Sequence, residues 1–189
     1  MSVLKRYERG EEIYAQGSKG GRLPKVCSGA AIIYALLEDG RRQIVDLAGP
    51  GDFLHFEFDG ELDHAAEALC GTEIVEVSGD SAFSDPDLCA LLVEQMRMRL
   101  AQERRHVTML GRKTAQERLA DFLDEVARCL GCPPGYIDLP MTRQQVADYT
   151  GLTLETVSRI FSRWSREGRL RKIGPTSYAR GDHPLPIAA

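Results

Sequence analysis

Residues 140–173 constrain this chain more than any other stretch, because they encode two short helices joined by a glycine turn. Thr142 is a suitable helix N-cap, and Gln145 three places on completes a capping box. Val146 and Ala147 give the first helix an apolar face. Thr150-Gly151-Leu152 breaks it, since glycine accepts a tight turn that β-branched residues resist. Thr153 caps a second helix, with Glu155 in its first turn, where a carboxylate suits the helix dipole. Gly168 ends that helix as a C′ glycine.

The second helix has two faces. Leu154, Val157, Ile160, Phe161 and Trp164 recur at steps of three and four, which predicts one buried stripe. Glu155, Ser158, Arg159, Ser162, Arg163 and Arg166 lie on the other side. Helix, glycine turn, helix is the helix-turn-helix layout, whose second helix sets its N-terminal side chains in the DNA major groove. The side chains suit that role. Arg can grip guanine at O6 and N7, Glu can accept from cytosine N4, and Ser is adaptable. On pattern alone, an ordinary helical hairpin with a solvated charged face also fits.

The run Glu155-Thr156-Val157-Ser158-Arg159 resembles the recognition-helix signature of the CRP/FNR family of bacterial regulators, in the form carried by its FNR and FixK branches. The resemblance implies that Glu155, Ser158 and Arg159 read the bases of a TTGA-type half-site. Thr142, Arg143, Thr153, Thr156, Arg163 and Arg171 are expected to contact DNA phosphates.

The chain's 189 residues suffice for one large domain or two small ones. Its net charge of −4 does not suggest a nucleic-acid binder, but the distribution does. Between residues 140 and 172 seven basic residues face three acidic ones, +4 locally against −8 for the rest. A basic module on an acidic body can still bind phosphates, because the local field governs the encounter. No apolar run approaches the ~20 residues of a membrane span, and no signal-peptide pattern opens the chain. Five cysteines read as reduced thiols. A cytoplasmic protein is expected.

Up to about residue 83, short apolar runs alternate with glycines, which suggests a β-barrel or roll. Asp39-Gly40 between two such runs is a hairpin signal. Gly10-Glu11-Glu12-Ile13, Asp39-Gly40-Arg41-Arg42-Gln43-Ile44 and Gly49-Pro50-Gly51-Asp52-Phe53 resemble, in order, phrases of the family's cyclic-nucleotide-binding β-roll. Members that bind the nucleotide hold its phosphate with an Arg-Ser pair. Here the matching place reads Leu62-Asp63-His64-Ala65-Ala66-Glu67-Ala68, among the acids Glu57, Asp59 and Glu61. The nucleotide site is therefore read as lost and no cofactor is expected. The same stretch resembles the FixK branch. His55 and His64 flank it, but two histidines alone do not make a haem or metal site.

Residues 87–110 lack glycine and proline, and Leu88, Leu91, Leu92, Met96, Leu100, Val107 and Leu110 keep a loose helical period. By resemblance this is the dimerisation helix of a homodimer. The alternative is a helix folded back on its own roll. Gly111 is read as a joint. Thr114 and Glu117 form a capping box for the next helix, with Leu119, Phe122, Leu123 and Val126 as its apolar face. Cys129 and Cys132 make a C-x-x-C without further zinc ligands, so no metal is expected; a reversible disulfide remains an alternative to chance placement. Cys27, Cys70 and Cys89 are read as buried small apolar residues. Residues 135–139 predict a strand. Residues 170–173 and 177–179 flank Gly174-Pro175-Thr176 as a hairpin, which makes the module winged and puts Arg169, Arg171 and Lys172 near phosphates. The Pro-rich tail from Gly181 is expected to be loose.

The reading is an α+β chain: β-roll (1–84), long dimerisation helix (85–111) and winged helix-turn-helix (112–189). Its function would be sequence-specific regulation of transcription on a two-fold DNA site, without cyclic nucleotide and with RNA polymerase as a further partner. The alternative is a haem, nitric oxide or thiol-gated regulator of the same fold. Nothing suggests an enzyme: G-x-S-x-G, P-loop and H-E-x-x-H motifs are all missing.

Overall fold

Apolar runs separated by glycines fold into short strands rather than helices in the first part of the chain. The computed structural model describes residues 4–181 and 185–186. It divides into two units, the first running to Arg105 and the second starting at His106. In the first unit the described residues form β1 (Leu4–Tyr7), β2 (Glu12–Tyr14), β3 (Arg22–Ser28), β4 (Ala31–Leu36), β5 (Arg42–Ala48), β6 (Ala65–Ala68) and β7 (Thr72–Ser78). They pair antiparallel in two sheets, ordered β1-β7-β3 and β2-β6-β4-β5. Asp39-Gly40 makes the β4–β5 turn: Gly40 has φ +81°, and the Asp39 carboxylate accepts the Arg41 N–H at 3.1 Å. Val26, Ala31, Ile33, Ala48, Leu54, Ala66 and Ile74 form the core of this roll. Strands give way to a short helix, α1 (Gly79–Ser84), just before residue 83.

Helix α2 (Pro86–Arg112) carries two different stripes. Leu88 and Leu92 pack with Leu23, Phe53, Phe56 and Phe58 of the roll. Farther along, Arg99 and Gln102 reach Asp46 on β5, a carboxylate only 5% exposed. The Arg99 Nε lies 3.1 Å from one Asp46 oxygen, and Gln102 Nε2 donates to the other at 2.6 Å. Arg99 also donates to the carbonyls of Phe53 and Leu54, at 2.8 and 3.1 Å. The second stripe, Cys89, Val93, Met96, Leu100, Glu103 and Val107, alternates steps of four and three and is exposed. That is the spacing of a coiled-coil seam. The single apolar period expected for this helix therefore splits: Leu88 and Leu92 cover the roll, whereas Met96, Leu100 and Val107 do not.

Three further expectations need correction. Gly111 is no joint: α2 runs through it to Arg112, because a glycine with ordinary helical φ weakens a helix without ending it. Cys27 and Cys89 are exposed and Cys70 half-buried. A register shift between Val26 and Ser28 turns Cys27 out of the core, and Cys89 lies on the exposed stripe of α2. Of the tail expected to be loose, Leu185 is buried; residues 182–184 and 187–189 lie outside the described residues.

The second unit takes in the end of α2 from His106, then α3 (Ala115–Cys129), β8 (Tyr136–Asp138), α4 (Arg143–Thr150), α5 (Leu154–Arg166), β9 (Leu170–Lys172) and β10 (Ser177–Arg180). The Thr114–Glu117 capping box is present at the start of α3. Leu119, Phe122, Leu123 and Val126 of α3 are buried, as are Val146 and Tyr149 of α4. His106 stacks on the Tyr149 ring at 4.3 Å and bonds its carbonyl at 3.0 Å. The sheet is ordered β8-β10-β9, all antiparallel, so β9 and β10 form the expected wing.

Candidate nucleic-acid interface

Both helices of the pair begin on the caps that the sequence predicts. Thr142 Oγ1 accepts the Gln145 N–H at 3.1 Å while Gln145 Oε1 accepts the Thr142 N–H at 2.9 Å. Thr153 Oγ1 accepts the Thr156 N–H at 3.2 Å. Between the helices Gly151 has φ +63°, and its N–H donates to Ala147 O. A side chain there would be strained by the left-handed backbone and would meet Leu110 at 3.2 Å. Val157, Ile160, Phe161 and Trp164 are buried, which fixes the rotation of α5 about its axis. Leu154, placed in the same stripe from sequence, is 39% exposed, because it is the first residue of the helix and lacks a preceding turn beneath it.

That rotation leaves Glu155 and Arg159 exposed and Ser158 half-buried on one side of α5. Arg159 donates to the Thr156 hydroxyl at 3.3 Å, so a nominal phosphate residue holds a nominal base reader. The Glu155 carboxyl is held below its ordinary range by its own backbone N–H, then by the Thr153 hydroxyl and the charge of Arg159. It is an acceptor at neutral pH. Thr142 and Thr153 are exposed at the N-termini of α4 and α5, where free N–H groups and the helix dipole favour a phosphate.

The cations are less uniform than the sequence suggests. Arg143 lies flat against Phe161, 3.4 Å from its ring centroid, and donates to the Tyr178 hydroxyl at 2.7 Å. It thus ties α4 to α5 and to the wing. Arg163 pairs with Glu167 at 2.7 Å, and Arg169 reaches the other oxygen of the same carboxylate at 2.7 Å. Arg166, Arg171 and Lys172 form no ion pair among the described residues and are exposed. The Arg163–Glu167 pair is visible in the sequence as an i, i+4 spacing; the Arg143 stack has no sequence signal.

Elsewhere, Cys129 and Cys132 are half-buried thiols, and Cys132 Sγ accepts the Asp138 N–H at 3.3 Å. In the roll, His55 and His64 both set their rings edge-on to Tyr14, at 5.1 and 5.9 Å. Among the described residues no group of three or more metal-ligating side chains occurs.

The Crp-like helix-turn-helix domain family matches residues 117–178, and the cyclic nucleotide-binding domain family matches residues 4–83. The nitrogen fixation regulation protein FixK of Rhizobium meliloti is 38% identical over 159 residues, covering 83% of this chain and 72% of that protein. The transcriptional activator protein FnrL of Cereibacter sphaeroides is 32% identical over 198 residues, covering 95% of this chain and 79% of that protein. The structure of FixK2 from Bradyrhizobium japonicum superposes with a TM-score of 0.86 at 36% identity, covering 95% of this chain and 92% of that one.

Proposed function

The chain belongs to the CRP/FNR family, as a FixK-like sequence-specific DNA-binding transcription regulator, and from that premise we propose that it binds a two-fold site as a homodimer and needs no cyclic nucleotide. The observation that carries the reading is the rotation of α5, which buries Val157, Ile160, Phe161 and Trp164 and leaves Glu155, Ser158 and Arg159 on the side away from the core. These three read the bases of a TTGA-type half-site. Thr142, Arg143, Thr153, Thr156 and Arg171 hold phosphates; Arg163, expected among them from sequence, is engaged by Glu167 and is left out of this set. The exposed seam of α2 supplies the dimer contact, which sets two half-sites one helical turn apart. Activation through RNA polymerase, in the cytoplasm, is part of the same proposal; the relative named as a transcriptional activator supports activation over repression.

The roll does not suit a nucleotide phosphate. Residues 51–69 contain neither Lys nor Arg. Two guanidiniums that reach this part of the roll are engaged, Arg42 with Glu67 at 3.1 Å and Arg99 with Asp46. His64 pairs with Asp63. An anion there would face carboxylates instead of an Arg-Ser pair.

The test is binding of the full chain, with nothing added, to a duplex with TTGA and TCAA half-sites centred about 10 base pairs apart. A scrambled duplex is the control. Selective binding supports the reading; equal binding to both duplexes overturns it.

A further inference from the structure

An open pocket of about 400 Å³ lies between α5 and the wing. Arg143, Phe161, Ser162, Arg166, Lys172 and Tyr178 line it, and no carboxylate is among its lining residues. The nearest acid in sequence, Glu167, has both its oxygens taken by Arg163 and Arg169. Arg166 and Lys172 make no ion pair among the described residues. Arg143 is fixed against Phe161 and Tyr178, so it adds charge to the pocket without losing much side-chain freedom on binding. The hydroxyls of Ser162 and Ser165 add neutral donors.

We propose that this pocket is a phosphodiester site: Arg166 and Lys172, with Arg143 held between α5 and the wing, take one phosphate of the DNA backbone beside the recognition helix. The inference rests on the DNA-binding reading above and deepens it. It also divides the basic residues of the module by their partners. Arg163 and Arg169 are both held by the Glu167 carboxylate, so a phosphate has to compete with that acid for them. Arg166 and Lys172 are uncompensated, so a phosphate that meets them releases counterions from the DNA without first breaking an ion pair.

The test is the salt dependence of DNA binding by the full chain. Arg166→Gln and Lys172→Gln should each lower the slope of log affinity against log salt by about one unit, with the base preference unchanged. Arg163→Gln should leave the slope nearly as it is. Arg166→Lys keeps the charge and should restore the slope, which separates a phosphate contact from damage to the fold. A second arm replaces backbone phosphates one at a time by neutral methylphosphonates. One position should weaken the wild type and have no further effect on the Arg166→Gln, Lys172→Gln double variant. Unchanged slopes in both single variants, an equal fall in Arg163→Gln, or no such position would overturn the proposal. Free inorganic phosphate that abolished binding at millimolar concentration would overturn it too, by identifying a small-anion site instead. If the wild type fails to discriminate the scrambled duplex, base reading fails, while the slopes still report on the pocket.

Discussion

Arg99 on α2 lies 3.1 Å from the buried carboxylate of Asp46 on β5, and with Gln102 the two form a polar latch beside the apolar contact of Leu88 and Leu92 with the roll. Taking one partner away leaves the other buried without its counter-charge, which costs about 3–5 kcal/mol. Arg99→Met should lower the unfolding free energy of the first unit by that order in urea titrations. Arg97→Met removes a pair of similar length with Glu94, 2.6 Å, in which both side chains are exposed. It should leave stability nearly unchanged, because solvent screens an exposed pair. Equal effects would mean that Asp46 is hydrated in solution.

Arg159→Ala should weaken binding to the TTGA-type duplex by about 1–3 kcal/mol and relax the choice at the base it reads. Thr156→Val removes the hydroxyl that holds the Arg159 guanidinium at 3.3 Å. Its cost should be smaller, about 0.5–1.5 kcal/mol, with base preference intact. Competition between duplexes that differ at one position measures both. An Arg159→Ala protein with wild-type preference would remove this residue from base reading.

The exposed stripe of α2 predicts where the dimer closes. Val93, Met96 and Leu100 are 61%, 45% and 47% exposed in the single chain. Leu100→Arg places a charge in the seam and should give a monomer by sedimentation, with DNA binding reduced at least roughly tenfold because one half-site's contacts are lost. Cys89 sits on the same stripe and is exposed. In a parallel pair it meets its own copy, so mild oxidation should cross-link the wild type and leave Cys89→Ser uncross-linked. A wild type that sediments as a monomer at micromolar concentration would contradict the seam.

His55 predicts a pH dependence. Burial lowers its pKa from 6.5 to about 4, helped by the charge of nearby His64. The folded protein thus keeps His55 neutral while the unfolded chain protonates near pH 6.5. This contribution is complete above about pH 6.5 and is lost as pH falls towards 4. Across that window it should steepen the fall in unfolding free energy by at most about 1.4 kcal/mol per pH unit. His55→Gln should flatten the profile by that amount relative to wild type, read from urea titrations at several pH values.

Much of this molecule is legible before any coordinates. The capping boxes at Thr114 and Thr142, the Asp39-Gly40 turn, the Gly151 break and the buried stripe of α5 all depend on residues within a few positions of one another. Their geometry is local, so the chain states it directly. Glu155, Ser158 and Arg159 are legible for the same reason: once the buried stripe is known, the 3.6-residue period sets the opposite face. Tertiary structure decided what no period encodes. Gln102 meets Asp46 across 56 positions, and Arg143 meets Tyr178 across 35. That Arg143, Arg166 and Lys172 line one pocket depends on how α4, α5 and the wing pack. Which stripe of α2 is covered depends on where the roll presents Phe53 and Asp46. Such pairings arise only when distant segments are brought together, and a sequence read in windows carries no signal for them.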